Sequence, residues 1–293
     1  MSEQGDSERA AVFAEHRRYL VGVAYRMLGS VAEAEDIVQD SFLRWQRVEE
    51  LVHEPRAYLA RIVTRLCLDR LKSARATREQ YVGTWLPEPL VEEASAQRVA
   101  DDLSVALLMT LERLSPLERA AFLLHDVFDM DYGEIAGVLE RSEPAVRQLA
   151  ARGRDHVREG GDVVRPRFQP SPESEARLMG AFATAVATGD LRSLASMLAD
   201  DAVLYSDGGG KRRAALNPIY GADKIGRFLE GALKKGGLLP TSAGAFQPAR
   251  INGLPGLVIH GDAGPETIAI ETDGEKIVAI YIVRNPDKLK HLS

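Results

Sequence analysis

Cysteine occurs once in 293 residues, at Cys67, which excludes a disulfide framework and a cysteine-based metal centre. The six histidines form no HExxH-type pair, so neither a metal nor any other cofactor is expected. No apolar run approaches membrane-spanning length. The first residues, MSEQGDSERA, are polar and lack the apolar core of a signal peptide. A soluble, cytoplasmic protein with no membrane partner is the expectation. There is no internal repeat. An overall positive charge is also missing: the formal net charge is −6. That excludes a general nucleic-acid coat protein and leaves DNA binding to local basic patches on an acidic molecule. The length predicts two or more domains, each able to bury a core.

The most informative stretch is 131–158, DYGEIAGVLERSEPAVRQLAARGRDHVR. Ile135, Ala136, Val138 and Leu139 recur at helical spacing, and Val146 and Leu149 do so in a second segment. Ser142 suits the N-cap of that segment, and Pro144 is tolerated in its first turn. Arg147, Gln148, Arg152 and Arg154 are left pointing outward. Between residues 141 and 158, five arginines oppose Glu143 and Asp155, a net +3. A capped, basic second helix of a helix-turn-helix fits a DNA major groove. An αα-hairpin with a solvated basic face shows the same pattern.

Glycine is sparse before this stretch, and helices are predicted at 10–28, 31–47 and 54–78. The second has an apolar stripe of Ile37, Val38, Phe42 and Trp45 beside a polar face of Asp36, Gln39, Asp40 and Arg44, which periodicity alone assigns to solvent. The third has seven Lys or Arg against Glu54 and Asp69, a net +5, with Tyr58, Leu59, Ile62, Leu66 and Leu71 able to pack inward. A basic helix with an aromatic suits a nucleic-acid strand, and equally a solvated face. Residues 80–102 read as an acidic linker around WLPEPL (85–90), where Pro87 and Pro89 enforce an extended chain. Trp85 is a large apolar group in search of a docking site. Helices at 103–114 and 117–128 follow, the second capped by Ser115-Pro116.

The Gly- and Pro-rich stretch 160–172 marks a domain boundary. Beyond it come helices at 173–188, 191–198 and 221–234, and strand-like runs at 202–205, 214–219, 249–251, 257–260, 267–272 and 276–283. This predicts a compact α+β domain. DGGGK (207–211) reads as a glycine turn; no helix clearly follows it, so a phosphate loop is a poor fit. Tyr205, Asp207, His260 and Tyr281 are the polar groups expected near the mouth of any cavity.

AEDIVQDSFLRW (34–45) with AYLARIVTRLCLDRLKS (57–73), and then the block 114–154, resemble the region-two and region-four domains of a bacterial sigma factor of the extracytoplasmic-function group. The resemblance implies that Asp36, Gln39, Asp40, Phe42 and Trp45 meet the β′ clamp of core RNA polymerase. It implies that Arg56, Tyr58, Arg61, Arg65 and Arg70 meet the −10 element of promoter DNA, with the loop 48–55 as the wall of a base pocket. Ser142, Pro144, Ala145, Arg147, Gln148, Arg152 and Arg154 then meet the −35 element. The chain departs from the usual pattern at Arg65, where Asn is frequent, at Glu140-Arg141, where a turn glycine is frequent, and at Ala145, where Thr is common.

WLPEPL, DGGGK and NPDKL (285–289) narrow the resemblance to the subgroup with a SnoaL-like C-terminal extension, similar to nuclear-transport-factor-two folds. The implied fold is two all-α sigma domains followed by an α+β cone. The expected division is 8–76 for region two, 77–102 for the linker, 103–159 for region four, 160–172 for a second linker and 173–293 for the extension. The implied function is promoter-specific initiation, without catalysis, regulated in cis through Trp85, Leu86, Pro87, Asp207, Gly208, Lys211, Asn285, Pro286, Asp287 and Lys288, and with room in the cone for a small ligand. Two other classes remain open on the residues alone: a ligand-sensing helix-turn-helix regulator, and a SnoaL-type enzyme fused to a DNA-binding region.

Overall fold

The structure, a computed structural model, describes residues 3–48, 50–78, 81–92, 105–159, 170–234 and 246–292. The acidic stretch 93–102 and the boundary residues 160–169 lie outside them. The chain divides into two units, Met1–Glu79 with Ala106–Val163, and Gln80–Val105 with Val164–Ser293. Residues 81–92, the described part of the stretch expected as a linker, fall in the C-terminal unit.

The first unit is helical: α1 (Glu3–Leu28), α2 (Val31–Gln46), α3 (Pro55–Arg78), α4 (Val105–Glu112), α5 (Pro116–Phe122), α6 (Tyr132–Leu139) and α7 (Glu143–Glu159). Ser30 caps α2, accepting the Glu33 amide, and Ser115 and Glu118 form a reciprocal capping box on α5. Leu20, Val23, Ala24 and Met27 of α1 pack with Ile37, Val38 and Trp45 of α2 and with Leu59, Val63, Cys67 and Leu71 of α3, all buried. The inward stripe of α3 runs through Val63 and Cys67; Ile62 and Leu66, expected inside, are only half-buried. Burial pushes the Cys67 thiol well above its ordinary pKa, so it is an inert apolar group. Arg119 of α5 is buried and donates to the Met27 carbonyl at 2.6 Å, tying the second helical block to the first.

The helix expected over 117–128 differs in its second half. Leu123–Val127 is a π-helical turn, closed by Met130 N–H donating to the Leu124 carbonyl at 2.9 Å. The widened turn places Phe128 edge-on against Tyr19, 5.2 Å between ring centres. A close approach follows on α7: a Cβ on Gly153 would lie 2.9 Å from Phe122 Cβ, so only glycine lets α7 pack this tightly on α5.

The second unit is α+β. A seven-stranded sheet has the order β1-β4-β5-β6-β7-β2-β3, with β1 at Val91–Glu92, β2 at Leu198–Asp207, β3 at Ile219–Tyr220, β4 at Phe246–Ile251, β5 at Leu254–Gly261, β6 at Gly264–Thr272 and β7 at Ile277–Val283. All pairings are antiparallel except β2 with β7. One face carries Leu204, Leu257, Ile259, Ile268, Ile270, Ile280 and Ile282, buried with Leu178 and Phe182 of α8 (Pro172–Thr188), Leu194 of α9 (Leu191–Met197) and Ile225 and Leu229 of α10 (Ala222–Lys234).

The run 214–219, expected as a strand, is mostly loop: only Ile219–Tyr220 pairs. Asn217-Pro218 breaks it, and Leu216 is exposed. The opposite face of the sheet carries alternate residues, among them Tyr205, Glu271, Ala279 and Tyr281. Tyr281 stacks on Tyr205, with ring centres 5.5 Å apart, and donates to Glu271 Oε2 at 2.8 Å. Burial raises the Glu271 carboxyl above the usual range, against the lowering effect of that hydrogen bond.

A raised folded-state pKa favours folding while the group is protonated, and that stabilisation is lost as pH rises through the raised value. Glu271→Gln keeps an acceptor for Tyr281 without the charge. It is expected to raise the urea midpoint at pH 7 and above, with the gain vanishing below the ordinary carboxyl pKa. Urea titrations between pH 4 and 8 check this.

Candidate functional site

On α2, Asp36, Gln39 and Asp40 are exposed on one face. Leu43, one turn further, joins them and is 48% exposed. Periodicity did not single it out, because one leucine beyond an apolar stripe gives no signal. Trp45 and Phe42 are corrections. Trp45 is buried, and its indole N–H donates to the Arg9 carbonyl at 3.0 Å. Phe42 is half-buried, its ring 4.8 Å from that of Phe13. Both hold α2 against α1 from within and leave the surface to Asp36, Gln39, Asp40 and Leu43.

The basic helix α3 is more engaged than its charge suggests. Arg56 lies 4.3 Å over the Tyr19 ring, and Arg70 pairs with Glu33 at 2.8 Å. Tyr58 packs toward Trp45, ring centres 5.9 Å apart. Arg65 reaches into the second helical block: its guanidinium donates to the Val138 and Gly137 carbonyls at 3.3 and 3.4 Å and to Glu140 at 2.6 Å. Beside it a cavity of about 330 Å³ is lined by Val52, Glu54, Tyr58 and Arg61 on one side and by Met130, Glu134 and Val138 on the other. The loop expected as the wall of a base pocket does line a cavity, and α6 closes the opposite wall.

The helix-turn-helix is formed by α6 and α7. Glu134 accepts the Asp131 amide at 3.3 Å, capping α6. The turn requires a left-handed residue, and Glu140 adopts it with φ 55°. It is one of the two turn positions, Glu140-Arg141, where the resemblance implies a frequent glycine; the Glu140 side chain instead receives Arg65.

Ser142, Pro144, Arg147 and Gln148 are exposed at the start of α7, and Ala145 is half-buried. Arg147 is held by Glu143 at 2.5 Å and over the Tyr132 ring at 4.4 Å. Arg152 pairs with Glu118 at 2.9 Å. Arg154 does not point outward as expected: it is half-buried, bonded to Asp126 at 3.0 Å and to the Tyr132 hydroxyl. It fastens α7 to the π turn.

In the second unit WLPEPL, DGGGK and NPDKL come together. Asp207 is 1% exposed, yet its carboxylate has four donors. Tyr81 Oη donates at 2.5 Å, the Leu86 amide at 2.9 Å, the Gly209 amide at 2.9 Å and Lys288 Nζ at 2.7 Å. Lys288 also donates to the Leu86 carbonyl and lies 4.4 Å and 4.9 Å from the centres of the Trp85 and Tyr81 rings. Asn285 Nδ2 donates to Tyr81 Oη at 2.9 Å. Burial, and then the hydrogen bond to Asp207, drive the Tyr81 pKa far above its ordinary value.

The glycines are required here. A Cβ on Gly208 would lie 2.1 Å from the Arg212 carbonyl oxygen, and one on Gly209, at φ +58°, would lie 2.3 Å from Asn285 Nδ2. Outside this centre Lys211 pairs with Asp287 at 2.6 Å, holding that carboxyl below its usual range. Pro286 opens the one-turn helix Pro286–Lys288.

The strap 81–92 is pinned along its length. Leu86 is fully buried, and Pro87 and Pro89 are buried with it. Proline carries no N–H, so the buried strap has two fewer donors to satisfy. His291 Nε2 meets the Pro89 carbonyl at 3.0 Å. Leu90 exchanges hydrogen bonds with Asn252, and Val91 pairs with Ile251 to add a strand to the sheet. Sequence reasoning missed Tyr81, Asn252 and His291, whose partners are far away along the chain. It also misplaced the cavity's polar groups: Asp207 belongs to a clasp with Tyr81, Leu86 and Lys288, Tyr205 and Tyr281 lie on the strap side of the sheet, and His260 is exposed beside Leu292. A cavity of the C-terminal unit is lined instead by Arg212, Arg213, Arg227, Phe228 and Arg284.

A basic helix beside a cavity and a capped helix-turn-helix on a helical scaffold fit the class of DNA-reading proteins. The family models for Sigma-70 region 2 and Sigma-70 region 4 match residues 12–77 and 104–157. The chain is 39% identical to the ECF RNA polymerase sigma factor SigJ of Mycobacterium tuberculosis, over 93% of this chain and 90% of that protein. It is 31% identical to the probable ECF RNA polymerase sigma factor SigI of the same species, over 97% and 95%. The crystal structure of SigJ superposes with a TM-score of 0.77 at 37% identity, covering 97% of this chain and 98% of that one.

The chain belongs to the extracytoplasmic-function RNA polymerase sigma factors. Its partners are accordingly core RNA polymerase and promoter DNA, and it directs the one to the other. Among the described residues no helix is long and apolar enough to cross a membrane.

Proposed function

We propose that this sigma factor acts in the cytoplasm as a non-enzymatic initiation factor whose C-terminal unit restrains it in cis. The observation that carries the reading is the capture of residues 81–92 by the C-terminal sheet. These residues join the two DNA-reading blocks, and Asp207 and Lys288 hold them through Tyr81 and Leu86. With the strap held, one end of the connection between the blocks is fixed. Arg65 is meanwhile engaged by the C-terminal end of α6 and Glu140, and α6 forms one wall of the adjoining cavity. Promoter DNA at the −10 element then needs α6 to leave, and a released strap makes that easier. Run-off transcription with core polymerase tests this: releasing the strap with Lys288→Met is expected to raise product several-fold over the unaltered chain. Equal product would retire the regulatory reading.

Arg56, Tyr58, Arg61, Arg65 and Arg70 are assigned to the −10 element. Glu140→Gln removes the charge that occupies Arg65. Both groups are substantially exposed, so binding of a single-stranded −10 oligonucleotide should tighten by up to about fivefold, equivalent to roughly 1 kcal/mol. Fluorescence anisotropy with the full chain measures it.

Ser142, Pro144, Ala145, Arg147 and Gln148 are assigned to the −35 element, with the exposed Arg152 toward phosphates, while Arg154 is tied up by Asp126 and Tyr132. A bidentate base contact contributes about 1–3 kcal/mol of discrimination. Arg147→Ala is therefore expected to relax base preference in a binding-site selection. Arg152→Ala, which removes a phosphate contact, should weaken all sequences alike. An unchanged preference in Arg147→Ala would reject the assignment.

A further inference from the structure

A cavity in the C-terminal unit has a volume of about 440 Å³, within the range of small-molecule sites. Its lining separates by chemistry. Phe228 and Gly231 of α10 give an apolar wall, and Arg212, Arg213, Arg227 and Arg284 surround it with guanidinium groups. Among the described residues one carboxylate pairs with them. Glu266, 5% exposed, accepts from Arg212 and, at 3.0 Å, from Arg284. One negative charge thus serves two buried-side arginines. The side chains of Arg213 and Arg227 are exposed, and Arg284 donates to the Arg213 carbonyl at 2.6 Å. The cavity therefore carries an excess of fixed positive charge on an acidic chain, and arginine keeps that charge at any working pH. A cluster of like charges around an apolar space is unfavourable when empty and is relieved by an anion with an apolar body.

We propose that this cavity binds an amphiphilic organic anion, its carboxylate or phosphate among the arginines and its apolar part against Phe228 and α10. The geometry also ties the site to the clasp. Arg212 directly follows DGGGK and its amide donates to the Gly208 carbonyl at 3.0 Å; Arg284 directly precedes NPDKL and its amide donates to the Asp207 carbonyl at 2.7 Å. An anion that draws Arg212 and Arg284 from Glu266 pulls on both motifs. That consequence rests on the regulatory reading above; the binding itself does not.

The test is a titration of the full chain with the fluorescent amphiphilic anion 8-anilinonaphthalene-1-sulfonate, displaced by decanoate, decyl phosphate or decanol. Saturable binding is expected, displaced by the two anions and not by decanol, and the better of the two identifies the headgroup. Arg213→Glu/Arg227→Glu should weaken probe binding at least tenfold. A side chain at Gly231 has open space, with nothing within 4 Å of its Cβ, so Gly231→Trp should fill the cavity and abolish binding, with far-ultraviolet circular dichroism unchanged in both variants. Displacement by decanol as readily as by the anions, or wild-type affinity in both folded variants, would overturn the proposal. Binding that persists while Lys288→Met leaves transcription unchanged would keep the site and remove only its regulatory use.

Discussion

Lys288→Met is expected to destabilise the C-terminal unit by about 3 kcal/mol and to free the strap. Breaking a buried ion pair from one side costs roughly 3–5 kcal/mol, because the other charge stays buried without compensation. Here that charge is Asp207, whose side chain is fully buried against a Lys288 that is 13% exposed. The lower end of the range applies because Tyr81, Leu86 and Gly209 still donate to the carboxylate. Methionine keeps most of the stem that packs between Trp85 and Tyr81 but cannot donate to the Leu86 carbonyl.

The denaturant midpoint should fall and Trp85 emission should shift to the red. Trp45→Phe in both proteins removes the second tryptophan signal. Asp207→Asn on top of Lys288→Met should recover part of the loss, since it removes the stranded charge, and the cycle yields the coupling directly. A Lys288→Met protein with unchanged midpoint and unchanged protease resistance over residues 81–92 would mean that the clasp does not hold the strap.

The helical blocks were legible from periodicity, since burial on α1, α2 and α7 follows single stripes over many turns. Two kinds of feature escaped. The first depends on long-range partners. Nothing local marks Tyr81 as the ligand of Asp207, 126 residues away, or Asn252 as the anchor of Leu90. Trp85 and Leu86 could be read only as apolar groups without a site, and their surroundings came into view through the family motifs.

The second kind arises where composition misleads about environment. The apolar stripe read from periodicity holds Phe42 and Trp45 inward, where the family resemblance draws them to the surface. Arg152 and Arg154 look like free cations, but carboxylates from α5 and the π turn meet them. The loop at 214–219 is apolar enough for a strand, but Asn217-Pro218 ends the ladder. The arginine-lined cavity draws on Arg212, Arg227 and Arg284 from three separate segments, an assembly that spacing does not show.

The last expected result concerns the polymerase. Asp36→Lys/Asp40→Lys should reduce affinity for core polymerase by more than tenfold while leaving the melting curve intact. Both carboxylates are exposed on the outer face of α2, and the helix is held from its other side by Ile37, Val38 and Trp45. Reversal therefore alters the surface and not the packing. Complementary charge steers association and excludes wrong partners, and like charges set face to face cost several kcal/mol, which is ample for a tenfold loss.

Leu43 sharpens the test. An apolar side chain 48% exposed beside Asp36, Gln39 and Asp40 is suited to be the desolvated centre of a contact whose rim is charged. Leu43→Ser should slow no encounter but shorten the lifetime of the complex, whereas the double reversal should act mainly on the association rate and its salt dependence. Surface plasmon resonance against immobilised core polymerase at two salt concentrations separates the two effects. Wild-type kinetics for both folded variants would move the polymerase contact off this face of α2.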